Sequence, residues 1–251
     1  MELQGNLVSL QKHGIQPYAI SYDSVETLHA FANEHGLLYP LLSDSDSEVI
    51  RAFDIFNHLV PEGHRWYGVP FPGTYMVDPQ GLVIEKSFYA NHGIRDSVAN
   101  MLVEKFQVDP AGRPKQSFEN DDLKATAYAS SATIRRGQVQ TFMLDIELKD
   151  DRHIYAPNVK GGYTPASLTI DSIKNVQFND IIYPAPIKKK LAGKNVPIFE
   201  NRITIKTSFC NRHREDITIR AHLDYQACDE KECYMPQQLT FELPLIYLEN
   251  L

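Results

Sequence analysis

The spacing of apolar residues changes character once along this chain, at residues 107–122, and that change calls for two domains of different class. Before it, helix-like and strand-like segments alternate. Leu3, Leu7, Leu10 and Gln11 lie three to four apart and stop at Gly14, the pattern of a short helix with a glycine terminator. Pro17 to Tyr22 reads as a buried strand. Ser24 is an N-cap for an amphipathic helix whose buried face uses Val25, Leu28, Phe31 and Ala32, ending at His35-Gly36. Ser45 to Phe53 is a third, shorter helix. Thr74 to Val77 and Leu82 to Phe88 flank the turn sequence Asp78-Pro79-Gln80-Gly81 and form a hairpin, and Ile94 to Phe106 closes this half as a helix. The order is an α/β layout, in which a parallel strand precedes the first helix. The sequence shows no such strand, so the first half is expected to be incomplete.

Residues 107–122 lose periodicity and gain Pro, Gly and charge, which predicts a linker. Beyond it the period is two. Phe142, Leu144, Ile146 and Leu148 alternate with polar residues, as do Ile203, Ile205, Thr207 and Phe209, then Ile217, Ile219, Ala221, Leu223 and Tyr225, then Leu239, Phe241 and Leu243. Such runs with turn-rich gaps predict an antiparallel sandwich of about seven strands over residues 123–251.

Charge and composition exclude several functions. Residues 1–106 hold six Lys/Arg against thirteen Asp/Glu, and residues 107–251 hold nineteen of each, so neither half offers a footprint for nucleic acid. Lys188-Lys189-Lys190, with Lys194 nearby, reads as a solvated loop, and His64-Arg65-Trp66-Tyr67 as a loop packed over the surface of the first half. No run approaches the roughly 20 apolar residues that span a bilayer, and the first residues lack the pattern of a secretion signal. The nine histidines form no set with metal-ligand spacing.

Three cysteines are too few for a disulfide scaffold, so their spacing carries the information. Cys228 and Cys233 flank Asp229-Glu230-Lys231-Glu232, and each adjoins a strand-like run, so a hairpin brings them within disulfide reach. The pair then serves either as a structural staple, as two reduced surface thiols, or as a redox pair. Closing so short a loop contributes only about 2 kcal/mol, which makes stability a weak reason for it. An exposed tip also gives a partner thiolate the access that exchange requires. Three carboxylates against one lysine in the loop disfavour a free thiolate. Cys210 follows a strand pattern and is expected to be inert and partly buried.

Residues 2–106 resemble the AhpC/TSA peroxiredoxin (redoxin) branch of the thioredoxin-like fold through Tyr18-Ala19-Ile20-Ser21-Tyr22-Asp23-Ser24, Tyr39-Pro40-Leu41-Leu42-Ser43-Asp44 and Pro72-Gly73-Thr74-Tyr75-Met76-Val77-Asp78-Pro79-Gln80-Gly81. In that family the catalytic cysteine sits just upstream of the helix to which Glu2-Leu3-Gln4 corresponds, so it maps onto no residue of this sequence. Pro72 stands where true peroxiredoxins commonly have an active-site arginine. That placement resembles thioredoxin-type oxidoreductases, which put a cis-proline beside the reactive sulfur, and implies a cis bond between Phe71 and Pro72. Peroxidase activity is not expected of the chain as given.

Residues 123–244 resemble the N-terminal Ig-like domain of the thiol:disulfide interchange protein DsbD, through His153-Ile154-Tyr155-Ala156-Pro157, Tyr183-Pro184 and Tyr225-Gln226-Ala227-Cys228-Asp229-Glu230-Lys231-Glu232-Cys233-Tyr234-Met235-Pro236. In that family the two cysteines of the last motif cycle between dithiol and disulfide. The resemblance therefore implies a thiol-disulfide oxidoreductase with Cys228 and Cys233 as its disulfide and catalytic pair, supported by Tyr225, Gln226, Tyr234 and Pro236, with Pro72 as a site residue of the thioredoxin-like half. It implies no cofactor, a thioredoxin-like or other dithiol/disulfide protein as partner, and an extracytoplasmic setting, with the cytoplasm as the alternative. Self-association through the thioredoxin-like half is a further expectation. Two rivals stay open: a non-catalytic interaction module, and an inactive, truncated reading frame.

Overall fold

Short polar side chains set the element ends of the first half. In the computed structural model, which describes residues 2–89, 91, 93–108, 112–191 and 193–249, the chain divides into two units at residues 102/103, within a helix. The first unit runs α1 (Glu2–Gly5), α2 (Leu7–Lys12), β1 (Ala19–Ser21), α3 (Val25–His35), β2 (Leu41–Ser43), α4 (Glu48–Ala52), β3 (Gly73–Val77), β4 (Val83–Phe88), β5 (Arg95–Asp96) and the start of α5 (Val98–Phe106). Ser24 caps α3 by accepting from the Thr27 N–H at 3.3 Å, and Gly36 ends it in the left-handed region at φ 60°. Asp44 caps α4, accepting from Val49 N–H and Ile50 N–H. In the turn between β3 and β4, Asp78 Oδ1 accepts from the Gln80 and Leu82 N–H groups. A Cβ at Gly73 would lie 2.2 Å from the Phe88 ring, so a larger residue there would have to displace that ring.

The first unit contains no continuous sheet among the described residues. β1 pairs only with β2, in parallel, and β3 only with β4, antiparallel. The strand at Pro17 to Tyr22, expected to be buried, leaves Ile20 39% exposed, and the face of α3 expected to be buried leaves Val25 and Phe31 exposed, with Leu28 and Ala32 only half-buried. A two-stranded ribbon is too narrow to cover an eleven-residue helix. Burial is confined to smaller groups, among them Leu7, Leu10 and Ile50. Trp66 is 51% exposed, with the Arg65 guanidinium over its ring.

The expected cis bond is not there: the Phe71–Pro72 bond is trans. Residues 69–71 pair with 55–57 in extended form, Asn57 N–H donating to the Val69 carbonyl and Phe71 N–H to the Ile55 carbonyl, and the chain passes from this pairing directly into β3. Extended backbone on both sides of Pro72 suits the trans isomer, which is preferred by about 0.5–1 kcal/mol.

The second unit carries β6 (Lys115–Glu119), β7 (Leu123–Ala129), β8 (Thr133–Ile134), β9 (Gln138–Leu148), β10 (His153–Tyr155), β11 (Ser167–Ile170), β12 (Val176–Phe178), β13 (Ile187–Leu191), β14 (Lys194–Glu200), β15 (Arg202–Asn211), β16 (Ile217–Tyr225), β17 (Ala227–Cys228) and β18 (Gln237–Tyr247). One sheet has the order β12-β15-β9-β7-β6, another β11-β16-β18-β8, and a smaller third β13-β14-β10-β17. The alternating runs form the long strands β9, β15, β16 and β18, and their inward residues, including Phe142, Leu144, Ile205, Phe209, Ile219, Tyr225 and Phe241, make one buried core.

Two expectations are corrected here. The segment 107–122 is not linker throughout, since β6 pairs along its whole length with β7 and places the Phe118 ring 5.3 Å from Phe241. An edge strand needs few inward residues, so this one has no apolar alternation to reveal it. The three lysines at 188–190 lie in β13 rather than in a loop, with Lys189 Nζ 3.6 Å from Glu200. Among the described residues no helix is long and apolar enough to cross a membrane.

Candidate functional site

The site lies at the β17 end of the third sheet. Asp229 shapes the loop after β17: its N–H donates to the Glu232 carbonyl, and its Oδ1 accepts from the Lys231 and Glu232 N–H groups at 2.7 and 2.9 Å. That tight turn returns the chain so that Cys233 faces Cys228 as an antiparallel pair, and the two sulfurs are bonded at 2.10 Å. Tyr234 N–H then donates to the Ala227 carbonyl, and Gln226 Nε2 donates to the Tyr234 carbonyl, which fastens the two arms below the disulfide.

The two sulfurs differ in surroundings. Cys228 is 1% exposed and packs with Tyr155, Val196 and Ile198, whereas Cys233 is exposed. The Tyr155 hydroxyl stands 3.5 Å from Cys233 Sγ, and the Tyr163 ring lies 4.5 Å from the Tyr155 ring. Burial pushes the Tyr155 hydroxyl pKa up, so it is a protonated donor.

A charged frame surrounds the turn. The Tyr234 hydroxyl donates to Asp229 Oδ2 at 2.5 Å, Arg152 approaches the same oxygen at 3.5 Å and Asp122 at 3.3 Å, and the guanidinium sits 4.4 Å over the Tyr234 ring. Hydrogen bonds from Tyr234 and from the two backbone N–H groups, with Arg152 adding to them, hold the Asp229 carboxyl well below the usual carboxylate range. One of the three loop carboxylates is therefore compensated locally, while Glu230 and Glu232 stay exposed.

The comparisons with known proteins bear on this geometry. Residues 121–245 match the family model "Thiol:disulfide interchange protein DsbD, N-terminal", and residues 1–86 match the AhpC/TSA family. The second unit is DsbD N-terminal-like. The first is similar to the AhpC/TSA family over residues 1–86, so both matches lie among thiol-disulfide redox families. Curated relatives of the AhpC/TSA segment include the peroxiredoxin Bcp of Xanthomonas campestris, 28% identical over 34% of this chain and 52% of that protein. A putative peroxiredoxin of Mycobacterium tuberculosis is 32% identical over 33% and 52%. The chain thus spans about half the length of these relatives. Similar solved structures include the N-terminal periplasmic domain of ScsB from Proteus mirabilis, 13% identical with a TM-score of 0.39, covering 54% of this chain and 52% of that one. The reduced N-terminal domain of DsbD from Neisseria meningitidis is 12% identical with a TM-score of 0.33, covering 56% and 93%.

Within the DsbD N-terminal-like unit, the structure gathers Cys228, Cys233, Gln226 and Tyr234 as the sequence pattern places them. Tyr225 is at hand but acts in the core, its hydroxyl bonded to Asn120 Nδ2 at 2.8 Å and to Gln237 Oε1 at 3.2 Å. Pro236 is exposed beside Met235, which is 81% exposed. Pro72 belongs to the first unit, ahead of β3. Cys210 is free and half-buried on β15, opposite Val139 and Gln177, and burial raises its pKa. Arg152, His153, Tyr155 and Tyr163 complete the surroundings without having been assigned from sequence. Three of them fall in Arg152-His153-Ile154-Tyr155, whose polar and aromatic residues sit on a strand too short to show a period.

Proposed function

We propose that this chain is a thiol-disulfide exchange protein in which Cys228 and Cys233 pass two electrons to or from a dithiol protein partner. The observation that carries this reading is the asymmetry of the pair, one sulfur open and one enclosed, in a unit that matches a thiol:disulfide interchange family. In the reducing direction a partner thiolate attacks Cys233 Sγ, the disulfide breaks, and Cys228 leaves as a thiolate and takes up a proton. The partner's second thiolate then attacks the mixed disulfide and releases Cys233, so that one disulfide and one dithiol exchange states. The Tyr155 hydroxyl is placed to donate to Cys233 as it departs. A thioredoxin-like protein fits as partner because its reactive sulfur is accessible and its second thiol lies close by.

Thiol trapping and mass spectrometry in glutathione buffers of graded potential test the proposal. The expected result is one reversible Cys228/Cys233 disulfide with Cys210 outside it. A pair that stays oxidised in excess dithiothreitol, or a disulfide that includes Cys210, rejects it, and an inert pair with intact folding would favour a binding module instead.

A further inference from the structure

Opening the disulfide creates an electrostatic difficulty at Cys228. Attack at the exposed Cys233 expels Cys228 as a thiolate into a pocket of Tyr155, Val196 and Ile198, where a charge without a hydrogen-bond donor is strongly disfavoured. Tyr155 serves the other sulfur. The sheet offers a second group. Ile154 points into the sandwich core, so its neighbours His153 and Tyr155 share the opposite face, the one that holds Cys228. On that face Glu200 of β14, His153 of β10 and Cys228 of β17 form one cross-strand row. Directly opposed residues of antiparallel strands place their Cβ atoms about 4.5–5.5 Å apart.

His153 is 2% exposed, and neither Nδ1 nor Nε2 has a hydrogen-bond partner in the disulfide form. Buried polar groups are nearly always partnered, so a buried imidazole with both nitrogens idle beside a breakable bond calls for a partner in another state of the molecule. We propose that His153 supplies that partner: when the disulfide opens, an imidazole N–H donates a hydrogen bond to the Cys228 sulfur, and in its protonated form the ring hands that sulfur its proton. The proposal rests on the exchange reading of the pair. In the reducing step the electrons come from the partner dithiol, and the proton that Cys228 gains comes from solvent through His153, which takes it up as the thiolate appears and passes it to the sulfur, returning to the neutral form.

The groups facing the ring fit this role. Burial, followed by Lys189 of β13, lowers the His153 pKa, while Glu200 of β14 and Asp229 of the loop oppose them. Lys189 and Glu200 are paired at 3.6 Å, and Asp229 is engaged by Tyr234 and Arg152. On balance these groups favour the neutral ring in the disulfide form. A thiolate appearing beside it favours the imidazolium and raises its pKa.

The test uses the full chain. The His153 ring is titrated by NMR in the oxidised and the dithiothreitol-reduced protein, and the reduction potential of the pair is measured against glutathione across about two pH units on either side of neutrality, for the wild type, His153→Gln and His153→Phe. The ring pKa is expected to rise by about one unit or more on reduction. His153→Phe should lower the equilibrium constant for reduction about tenfold, about 30 mV for two electrons, and His153→Gln, which still donates an N–H, should recover most of it at neutral pH while losing the pH dependence. An equal ring pKa in both redox states, with exchange intact in the wild type, overturns the role of His153 alone. The wild-type titration decides this even where a variant fails to fold. A wild-type pair that does not equilibrate with dithiothreitol overturns the exchange reading itself, and the role of His153 with it.

Discussion

The two units draw on the same apolar residue types and arrive at different densities. In the DsbD N-terminal-like unit, alternating strands are paired on both sides over long registers and close around Phe142, Phe209, Tyr225 and Phe241, all fully buried. In the thioredoxin-like unit, Ile20, Leu42, Val77 and Ile84 lie in or beside strands that have one neighbour each, and all remain exposed. What differs is the number of partners that each strand finds. Apolar side chains are buried only where a second layer exists to receive them. The proposed exchange site lies on the more densely packed unit, where the sheet holds one sulfur enclosed and leaves the other open.

The largest expected effect puts this contrast at risk directly. Phe142→Ala should destabilise the second unit by about 3–5 kcal/mol, because it empties a fully enclosed site. Phe31→Ala on α3, 47% exposed, should change stability by no more than about 0.5 kcal/mol. Urea unfolding of the full chain, with hydrogen exchange resolving the two units, measures both. Equal losses would mean that the first unit has a core as tight as the second.

An intermediate effect concerns the disulfide. Replacing Cys228 and Cys233 together by Ser should cost about 2 kcal/mol, as expected for so short a loop, and leave the unfolding of the first unit unchanged. A loss as large as that of Phe142→Ala would make the disulfide a principal staple of the sandwich and weaken the case for a pair kept for exchange.

The smallest effect sharpens the picture of the turn. The depressed folded-state pKa of Asp229 means that its ionised form stabilises the fold above the unfolded carboxylate value of about 4, and that this contribution is lost as the pH falls from there toward the folded value. Asp229→Asn should therefore be less stable than the wild type at neutral pH, by an amount that stays level down to about pH 4 and closes below it. Unfolding curves across an acid series read the gap. A gap that does not close on acidification would show that the charge of Asp229 is not what separates the two proteins.

Much of the sandwich is legible because burial on one face writes a period of two into each long strand, and the cysteine motif is legible because Cys-Asp-Glu-Lys-Glu-Cys combines turn residues with two sulfurs at fixed spacing. Local signals were equally reliable in the first unit: Ser24 and Gly36 bound α3, and Asp78 to Gly81 turn the chain between β3 and β4. The third sheet left no such trace. β10 and β17 have three and two residues, and β13 is a lysine-rich edge, so none of them can display a pattern. The trans geometry at Pro72 was also beyond local reading, because the pairing of 69–71 with 55–57 joins segments about a dozen residues apart.

The sequence by itself determined the division into an α/β half and a β half, the ends of several elements, and which two cysteines lie within disulfide reach, since all of these follow from local periodicity, capping and turn chemistry. Tertiary structure alone decided which apolar faces are covered, which sulfur is open, and which groups stand beside the disulfide. Those outcomes depend on contacts between residues far apart in sequence: Arg152 meets Asp229, and His153 faces Cys228, only because three short strands are held side by side by the core beneath them.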